Sequence, residues 1–242
     1  MAMCGRLRRF DDDLEVAKEM PQTSRLVANF ERIMATMTTS FNHAPGMSQF
    51  VLVENRDGLI EPRLMRWGLS RSWSKPHHHK PSNARAETIE DLPTFRGLLA
   101  SRRCLVPTSG YYEWQKQGSR RVPYYIRLID DPISLLAGIY DAWLNQSGEI
   151  EASYSLITTT PAESIAHIHD RMPVIIQPQN VDMWLSRSVR DLMLIRPLLS
   201  PYPTDKLEFW PVSGRVNDVR NNDAELIKPV PEVRQASLLE IS

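Results

Sequence analysis

The sequence is poor in cysteine, in long apolar runs and in net charge. Only two cysteines, Cys4 and Cys104, occur in 242 residues. Two thiols cannot build a disulfide framework, and an intracellular setting that keeps both reduced is expected. The N-terminal stretch MAMCGRLRRFDDD has no apolar segment of the kind a secretory signal needs. The longest strongly apolar run, Ile133 to Tyr140, is less than half a membrane span and is bracketed by Asp131 and Asp141. A cytoplasmic protein with no membrane partner is therefore expected. No internal repeat, low-complexity tract or Gly/Ser linker divides the chain. No Gly-rich loop joins a strand to a helix, which leaves a Rossmann or P-loop reading without support.

Net charge is the most instructive of these shortages. The chain carries 29 Lys and Arg against 29 Asp and Glu. The balance is local, however: between Pro62 and Arg127 thirteen basic residues face four acids, so that block carries +9 and the remainder −9. A segment this lopsided can supply a polyanion-binding face on a neutral molecule, or simply a solvated basic surface. If it is a binding face, the block together with Arg6 and Arg171 should gather on one side of the fold, around Cys4.

The length suits one large domain, and a chain of this size buries roughly 70–75% of its unfolded surface. Eighteen scattered prolines suit many short elements joined by turns. Strand patterns cover Phe50–Glu54, Arg63–Leu69, Arg103–Val106, Tyr111–Gln115, Pro123–Ile129, Ile133–Tyr140, Tyr154–Thr159, Pro173–Ile176 and Leu207–Val212. Helical patterns cover Asp11–Glu19, Pro161–Asp170, Asn180–Leu185 and Val189–Leu199. The expected fold class is α+β, a single compact domain dominated by twisted antiparallel β-structure with a few short helices.

Four segments carry residues able to do chemistry. Cys4 lies near the start of the chain, where removal of the preceding residues would free its α-amine. A 1,2-aminothiol condenses with an aldehyde to an imine, and the thiolate then closes a thiazolidine ring. The amine titrates at about 7.7–8.0 and the thiol near 8.5, so both nucleophiles are accessible near neutral pH. In Pro81-Ser82-Asn83-Ala84-Arg85, Asn83 can orient a nucleophile or cap a loop junction, and Arg85 can take a phosphate with its planar fork. Glu113 stands between Tyr112 and Trp114, where desolvation suits a general acid/base, unless it is an exposed cross-strand charge. Cys104, between Arg103 and Leu105, reads as buried core. In His167-Ile168-His169-Asp170-Arg171-Met172-Pro173, the Met-Pro step ends a helix and delivers His169 as a proton carrier, with Arg171 as a phosphate ligand. His167 and His169 are two residues apart and make a poor metal pair, and the His77-His78-His79 run reads as solvated. No metal or cofactor is called for.

Several motifs then occur in order: Cys4-Gly5-Arg6, Phe41-Asn42-His43-Ala44-Pro45, Arg66-Trp67-Gly68-Leu69, Asn83-Ala84-Arg85-Ala86-Glu87, Arg103-Cys104-Leu105-Val106-Pro107 with Gly110-Tyr111-Tyr112-Glu113-Trp114, Ile168-His169-Asp170-Arg171-Met172-Pro173, and Pro211-Val212-Ser213 before Val216-Asn217. In these the chain strongly resembles the SRAP (SOS-response-associated peptidase) family of abasic-site-processing proteins, from Cys4 to about Pro229. The resemblance implies one SRAP domain over 1–242, with residues 1–3 as a leader and about 230–242 as a tail. It implies a monomer with a basic groove for single-stranded DNA. Cys4 matches the cysteine that crosslinks to the ring-opened abasic-site aldehyde, and Asn83, Glu113 and His169 match the other catalytic positions. In this reading Glu113 moves protons, His169 assists sugar ring opening and Asn83 holds the reactants in register. The DNA-binding set it implies is Arg6, Asn42, Pro45, Trp73, Arg85, Trp114 and Arg171. Of these, Trp73, Trp114 and Pro45 would stack or wedge against flanking bases.

Two departures from the family pattern stand out. Family members usually begin Met-Cys, whereas here Met1-Ala2-Met3 precede Cys4. Either the native start is Met3 or the protein cleaves its own Met3–Cys4 bond. Phe41 and His43 also depart from the usual Tyr-Asn-aliphatic-Ala-Pro pattern, with an adjusted pocket as the expected effect. Two other readings use the same residues: a thiol peptidase or amidohydrolase with Cys4 as nucleophile and His169 or Glu113 as base, and a non-catalytic single-strand-binding module whose affinity falls with salt.

Overall fold

The computed structural model describes residues 5–9, 26, 27, 36, 39–71, 80–145 and 147–231. Aromatic and β-branched side chains write most of the strands. Tyr124-Tyr125-Ile126 pairs with Tyr111-Tyr112-Glu113 in antiparallel register, each residue directly opposite its partner. In chain order the described strands are β1 (Leu7–Arg9), β2 (Ser40–His43), β3 (Ser48–Glu54), β4 (Ile60–Trp67), β5 (Asn83–Arg85), β6 (Arg103–Thr108), β7 (Gly110–Gln117), β8 (Arg120–Leu128), β9 (Ser134–Leu144), β10 (Ile150–Thr159), β11 (Met172–Pro173) and β12 (Leu207–Pro211). Three short helices, α1 (Pro93–Leu99), α2 (Val181–Leu185) and α3 (Leu192–Ile195), accompany them. The mostly antiparallel α+β class expected from the sequence is what the chain forms.

The first sheet runs β12-β8-β7-β1-β2. In the second, β3 pairs with β4, β4 with β10, β10 with β9, β9 with β6, and β6 returns to β3 at Leu52 and Leu105. The pairing therefore closes on itself, with β5 and β11 added along the C-terminal half of β10. Alternation along the strands sends side chains to two cores. Val51, Val53, Cys104, Val106 and Leu136 join Leu7, Tyr111 and Tyr124 of the first sheet, while Leu52, Leu105, Ala137 and Ile139 join Trp184 and the helices. A strand buried on both faces explains the unbroken apolar run of β9. A third cluster, around Tyr112, Tyr125, Val212, Val216 and Leu226, covers the outer face of the first sheet.

The sequence reading departs from the structure at several elements. The helix expected over Pro161–Asp170 is only a 3-10 turn at Glu163–Ile165, continued by turns. The buried residues there are Ala162, Ile165 and Ile168, a spacing of three that fits the tighter helix. The Asn180–Leu185 segment splits into a 3-10 turn and α2, and Val189–Leu199 into α3 and a 3-10 turn. Helix α1 and strands β1, β2 and β5 were not anticipated, and Asp11–Glu19 lies outside the described residues.

The +9 block is less bare than its arithmetic. Arg63 pairs with Glu61, Arg71 and Arg102 with Asp141, and Arg127 with Glu208. Arg103 is buried, and its guanidinium serves the carbonyls of Leu99, Trp184, Ser186 and Val189 at 2.5–2.9 Å. Burial lowers its pKa to about 10. It ties the end of α2 to β6, and Arg103→Met would leave those carbonyls unsatisfied. Urea denaturation should show a loss of about 3 kcal/mol or more for that variant.

Candidate active site

Strand β1 has little strand-forming character of its own, yet it sits between β2 and β7 in the first sheet. Tyr112 N–H donates to Arg6 O at 3.1 Å, carrying the β1–β7 register toward the start of the chain and setting Gly5 level with Glu113. Cys4 is the next residue in sequence and lies outside the described residues. Glu113, expected among aromatics, is 1% exposed in mid-strand, so the reading of it as an exposed cross-strand charge does not hold.

His169 comes from the turns that follow Ile165. Gln115 of β7 donates to His167 O at 3.1 Å and docks this segment on the strand that carries Glu113. His169 Nε2 stands 3.9 Å from Glu113 Oε2. Its Nδ1 meets the Arg171 N–H at 3.1 Å and Asp170 Oδ1 at 3.0 Å, so the outer ring nitrogen sits between a backbone donor and a carboxylate while Nε2 faces Glu113. Desolvation holds the His169 pKa below its ordinary value, opposed by the nearby carboxylate of Asp170.

Asn83 opens β5, three residues paired in parallel with β10, and Arg85 closes it with an exposed side chain. Arg6 is half-buried next to Gly5, and desolvation pulls its pKa below the arginine value. Its Nη1 donates to Gly5 O at 2.7 Å, and its Nε is buried with no partner among the described residues. Pro45 is exposed at the second position of a turn in which Met47 N–H donates to Ala44 O. Gly46 follows at φ 92°, the conformation that a type II turn demands.

Other expected DNA ligands are engaged inside the protein. Asn42 is 1% exposed, and its amide faces the carbonyls of Val216, Asp218 and Asn221 at 3.0–3.1 Å. It pins the 216–221 segment to β2 and presents no free donor to a phosphate. Arg171 is 8% exposed, with its fork closed on the Glu87 carboxylate. Trp114 is half-buried in the outer cluster and donates to Asn217 Oδ1 at 2.8 Å, on the sheet face opposite Glu113. Trp73 lies outside the described residues, as does the His77-His78-His79 run. Of the basic residues expected at the DNA, Arg85 is exposed, Arg6 half-buried and Arg171 buried.

His43 departs further. It is fully buried, stacked at 6.2 Å on Trp67, which stacks in turn on Tyr154. Trp67 donates to Ser82 O at 2.8 Å, so the stack also supports the approach to Asn83. Cys104 is buried, which pushes its thiol pKa up and fits the reading of it as core. Among the described residues no cluster of His, Cys, Asp and Glu could hold a metal, and no helix is long and apolar enough to cross a membrane.

Residues 3–219 match the family described as SOS response associated peptidase (SRAP). The chain belongs to the SRAP family. Among SRAP relatives, the abasic site processing protein YoqW of Bacillus subtilis is 35% identical over 233 residues, covering 93% of this chain and 99% of that protein. The abasic site processing protein HMCES of Gallus gallus is 32% identical over 228 residues, covering 79% of this chain and 66% of that protein. A crystal structure of a Bacteroides thetaiotaomicron protein superposes on the SRAP fold described here with a TM-score of 0.79 at 27% identity, covering 94% of this chain and all of that one.

Buried His43 and half-buried His169 make acid stability a readout of this region. Burial and the charge of Arg9 lower the His43 pKa to about 3, from an ordinary 6.5. The unfolded chain binds these protons at the ordinary pH and the folded chain does not, so stability should fall as pH drops below about 6.5. His43 contributes a slope of up to about 1.4 kcal/mol per pH unit between its ordinary value and about 3. Urea midpoints measured from pH 7 to 4 should show this slope, and His43→Phe, which keeps the stack, should flatten it.

Proposed function

We propose that this SRAP protein is an abasic-site sensor that binds single-stranded DNA and captures the lesion covalently through Cys4. The observation that carries the reading is the meeting of Glu113 and His169 at 3.9 Å, with Glu113 level with Gly5, the residue that follows Cys4 in sequence. The names of YoqW and HMCES support abasic sites as the target.

The chemistry follows from an α-amine and thiol on one residue. An abasic sugar equilibrates with its ring-opened aldehyde. His169, once protonated, gives its Nε2 proton to the departing ring oxygen while Glu113 takes the proton of the anomeric hydroxyl, so that the ring C–O bond breaks as the aldehyde carbonyl forms. The Cys4 amine adds to the aldehyde carbon, and loss of water gives an imine. The Cys4 thiolate then adds to the imine carbon, the nitrogen takes a proton, and a thiazolidine ring closes. Glu113 is the carrier for the protons of amine addition and dehydration. Asn83 keeps the aldehyde and the Cys4 end in register, and Arg6 and Arg85 hold the flanking phosphates. An abasic site offers no base edge, so selectivity comes from the aldehyde and the strand shape.

The scheme requires loss of residues 1–3, because an acylated Cys4 nitrogen cannot form the imine. Self-cleavage of the Met3–Cys4 bond, with Cys4 as nucleophile and Glu113 or His169 as base, is the maturation step we infer. Intact-mass analysis should show loss of Met1 to Met3, and Glu113→Gln should retain them.

Mature protein mixed with an abasic oligonucleotide should give an adduct that survives heat and SDS. Cys4→Ala should give none, while Glu113→Gln and His169→Gln should each slow adduct formation by about a hundredfold or more. Full adduct yield from Cys4→Ala would overturn the mechanism. Salt-sensitive binding indifferent to the lesion would point instead to a plain single-strand-binding module.

A further inference from the structure

The basic residues of β7 and β8 play no part in the capture chemistry, and they sit where they cost the fold something. From Trp114 to Ile129 there is no acid, while Lys116, Arg120, Arg121 and Arg127 all fall in that stretch. Arg127 pairs with Glu208. The other three are exposed at the tip of the β7–β8 hairpin. Lys116 stands directly opposite Arg121 in the antiparallel register, and Gln117 opposite Arg120. Like charges placed directly opposite each other destabilise a strand pair. Among the described residues neither Lys116 nor Arg120 has a side-chain partner that would offset this. Local rules of this kind are broken chiefly where function requires it.

The same hairpin carries Glu113 at its base. Lys116 follows three residues along β7, about 10 Å at the antiparallel rise. Between them Gln115 donates to His167 O at 3.1 Å, and Tyr124, opposite Glu113, meets the His167 ring edge-on at 6.4 Å. The segment that delivers His169 is therefore docked on the hairpin between Glu113 and the tip. Desolvation by burial is the first cause that holds the His169 pKa down, and the charge of Arg121 is another, so the charge of the tip reaches the site. Gly118-Ser119 closes the hairpin as a two-residue turn, with Gly118 at φ 58°. The cations thus stand on a short paired ribbon and not on a long loop.

We infer that the tip of the β7–β8 hairpin is a phosphate grip for the DNA strand beside the lesion, with Lys116 and Arg120 as its ligands. A strand whose abasic sugar lies at Glu113 and His169, and which continues past His169, meets the tip next. The separation corresponds to about three stacked nucleotides at 3.4 Å each. A polyanion at the tip screens Lys116 from Arg121, so the cost that the free protein bears is relieved on binding. Phosphate contacts are indifferent to base identity, which suits a reader of a baseless site. Because the hairpin stands to one side of Glu113, the strand is gripped asymmetrically. The inference rests on the single-strand-binding reading above, and its test separates the two.

The test uses single-stranded oligonucleotides carrying a tetrahydrofuran abasic analogue, which has no aldehyde, placed so that DNA extends only to its 5′ side or only to its 3′ side. Affinity is measured between about 50 and 200 mM salt for wild type and for the double variant Lys116→Gln, Arg120→Gln. On one of the two series the double variant should bind more weakly, with a salt slope smaller by about 1.4, two phosphates at about 0.7 each. On the other series its slope should match wild type, and its capture rate at saturating aldehyde-bearing DNA should be unchanged. Thermal melting of the DNA-free double variant should be no lower than wild type, since the change removes the Lys116–Arg121 repulsion. Arg56→Gln, which takes one exposed charge from the β3–β4 turn, is the control and should leave both slopes as they are. The inference is overturned if the double variant keeps the wild-type slope on both series, or if its slope falls equally on both. It is also overturned if Arg56→Gln lowers the slope as much, which is the behaviour of net charge alone. Failure of wild type to bind either series would instead overturn the single-strand-binding reading.

Discussion

The backbone pairing of residues 7–9 between β2 and β7 is the constraint on which the site depends. Without this short segment the first sheet would separate into a β7-β8-β12 ribbon and an unpaired β2. Its carbonyls are claimed closely: Arg8 O accepts both Ser109 N–H and Thr108 Oγ1–H, and Arg6 O accepts Tyr112 N–H. The side chains add to this, with Leu7 fully buried in the core and Arg8 lying over the Phe41 ring at 5.2 Å. Placing this stretch in a sheet interior fixes Gly5 beside Glu113, and through Gly5 it limits where a residue attached to it can reach.

The candidate site residues come from segments far apart in sequence, and those described are tied by polar bonds as well as by apolar packing. Gln115 reaches His167, Arg171 spans Thr158 and Glu87, and Trp67 holds Ser82. These ties run over the ends of strands, where ladder hydrogen bonding gives out. The second sheet, closed on itself and packed on both faces, is the rigid body against which they are braced.

What could be read from the sequence follows from the range over which each cause acts. Strands rich in aromatic and β-branched residues, such as β8 and β9, declare themselves locally. Strands β1, β2 and β5 do not: Leu7-Arg8-Arg9 and Asn83-Ala84-Arg85 are extended because neighbouring strands offer them partners. Glu113 was legible because its flanking Tyr112 and Trp114 are themselves the signal of a buried strand. The internal partners of Arg171 and Asn42 were not legible, because Glu87 lies 84 residues from Arg171 and the carbonyl acceptors of Asn42 lie more than 170 residues on. The same reason limits charge counting. A block of +9 says nothing of Asp141 and Glu208, which fold back to neutralise parts of it.

The closed ring of β3, β4, β10, β9 and β6 has a consequence for the life of the folded chain. Sheets associate edge to edge when unpaired backbone groups are left in a row, and a ring leaves none along its circuit. The first sheet has two outer strands, and both are covered or interrupted. Phe41 N–H of β2 is taken by Asn222 Oδ1 at 2.7 Å, and β12 ends at Pro211. Among the described residues few strand edges are therefore left open as templates for pairing with a second copy of the chain.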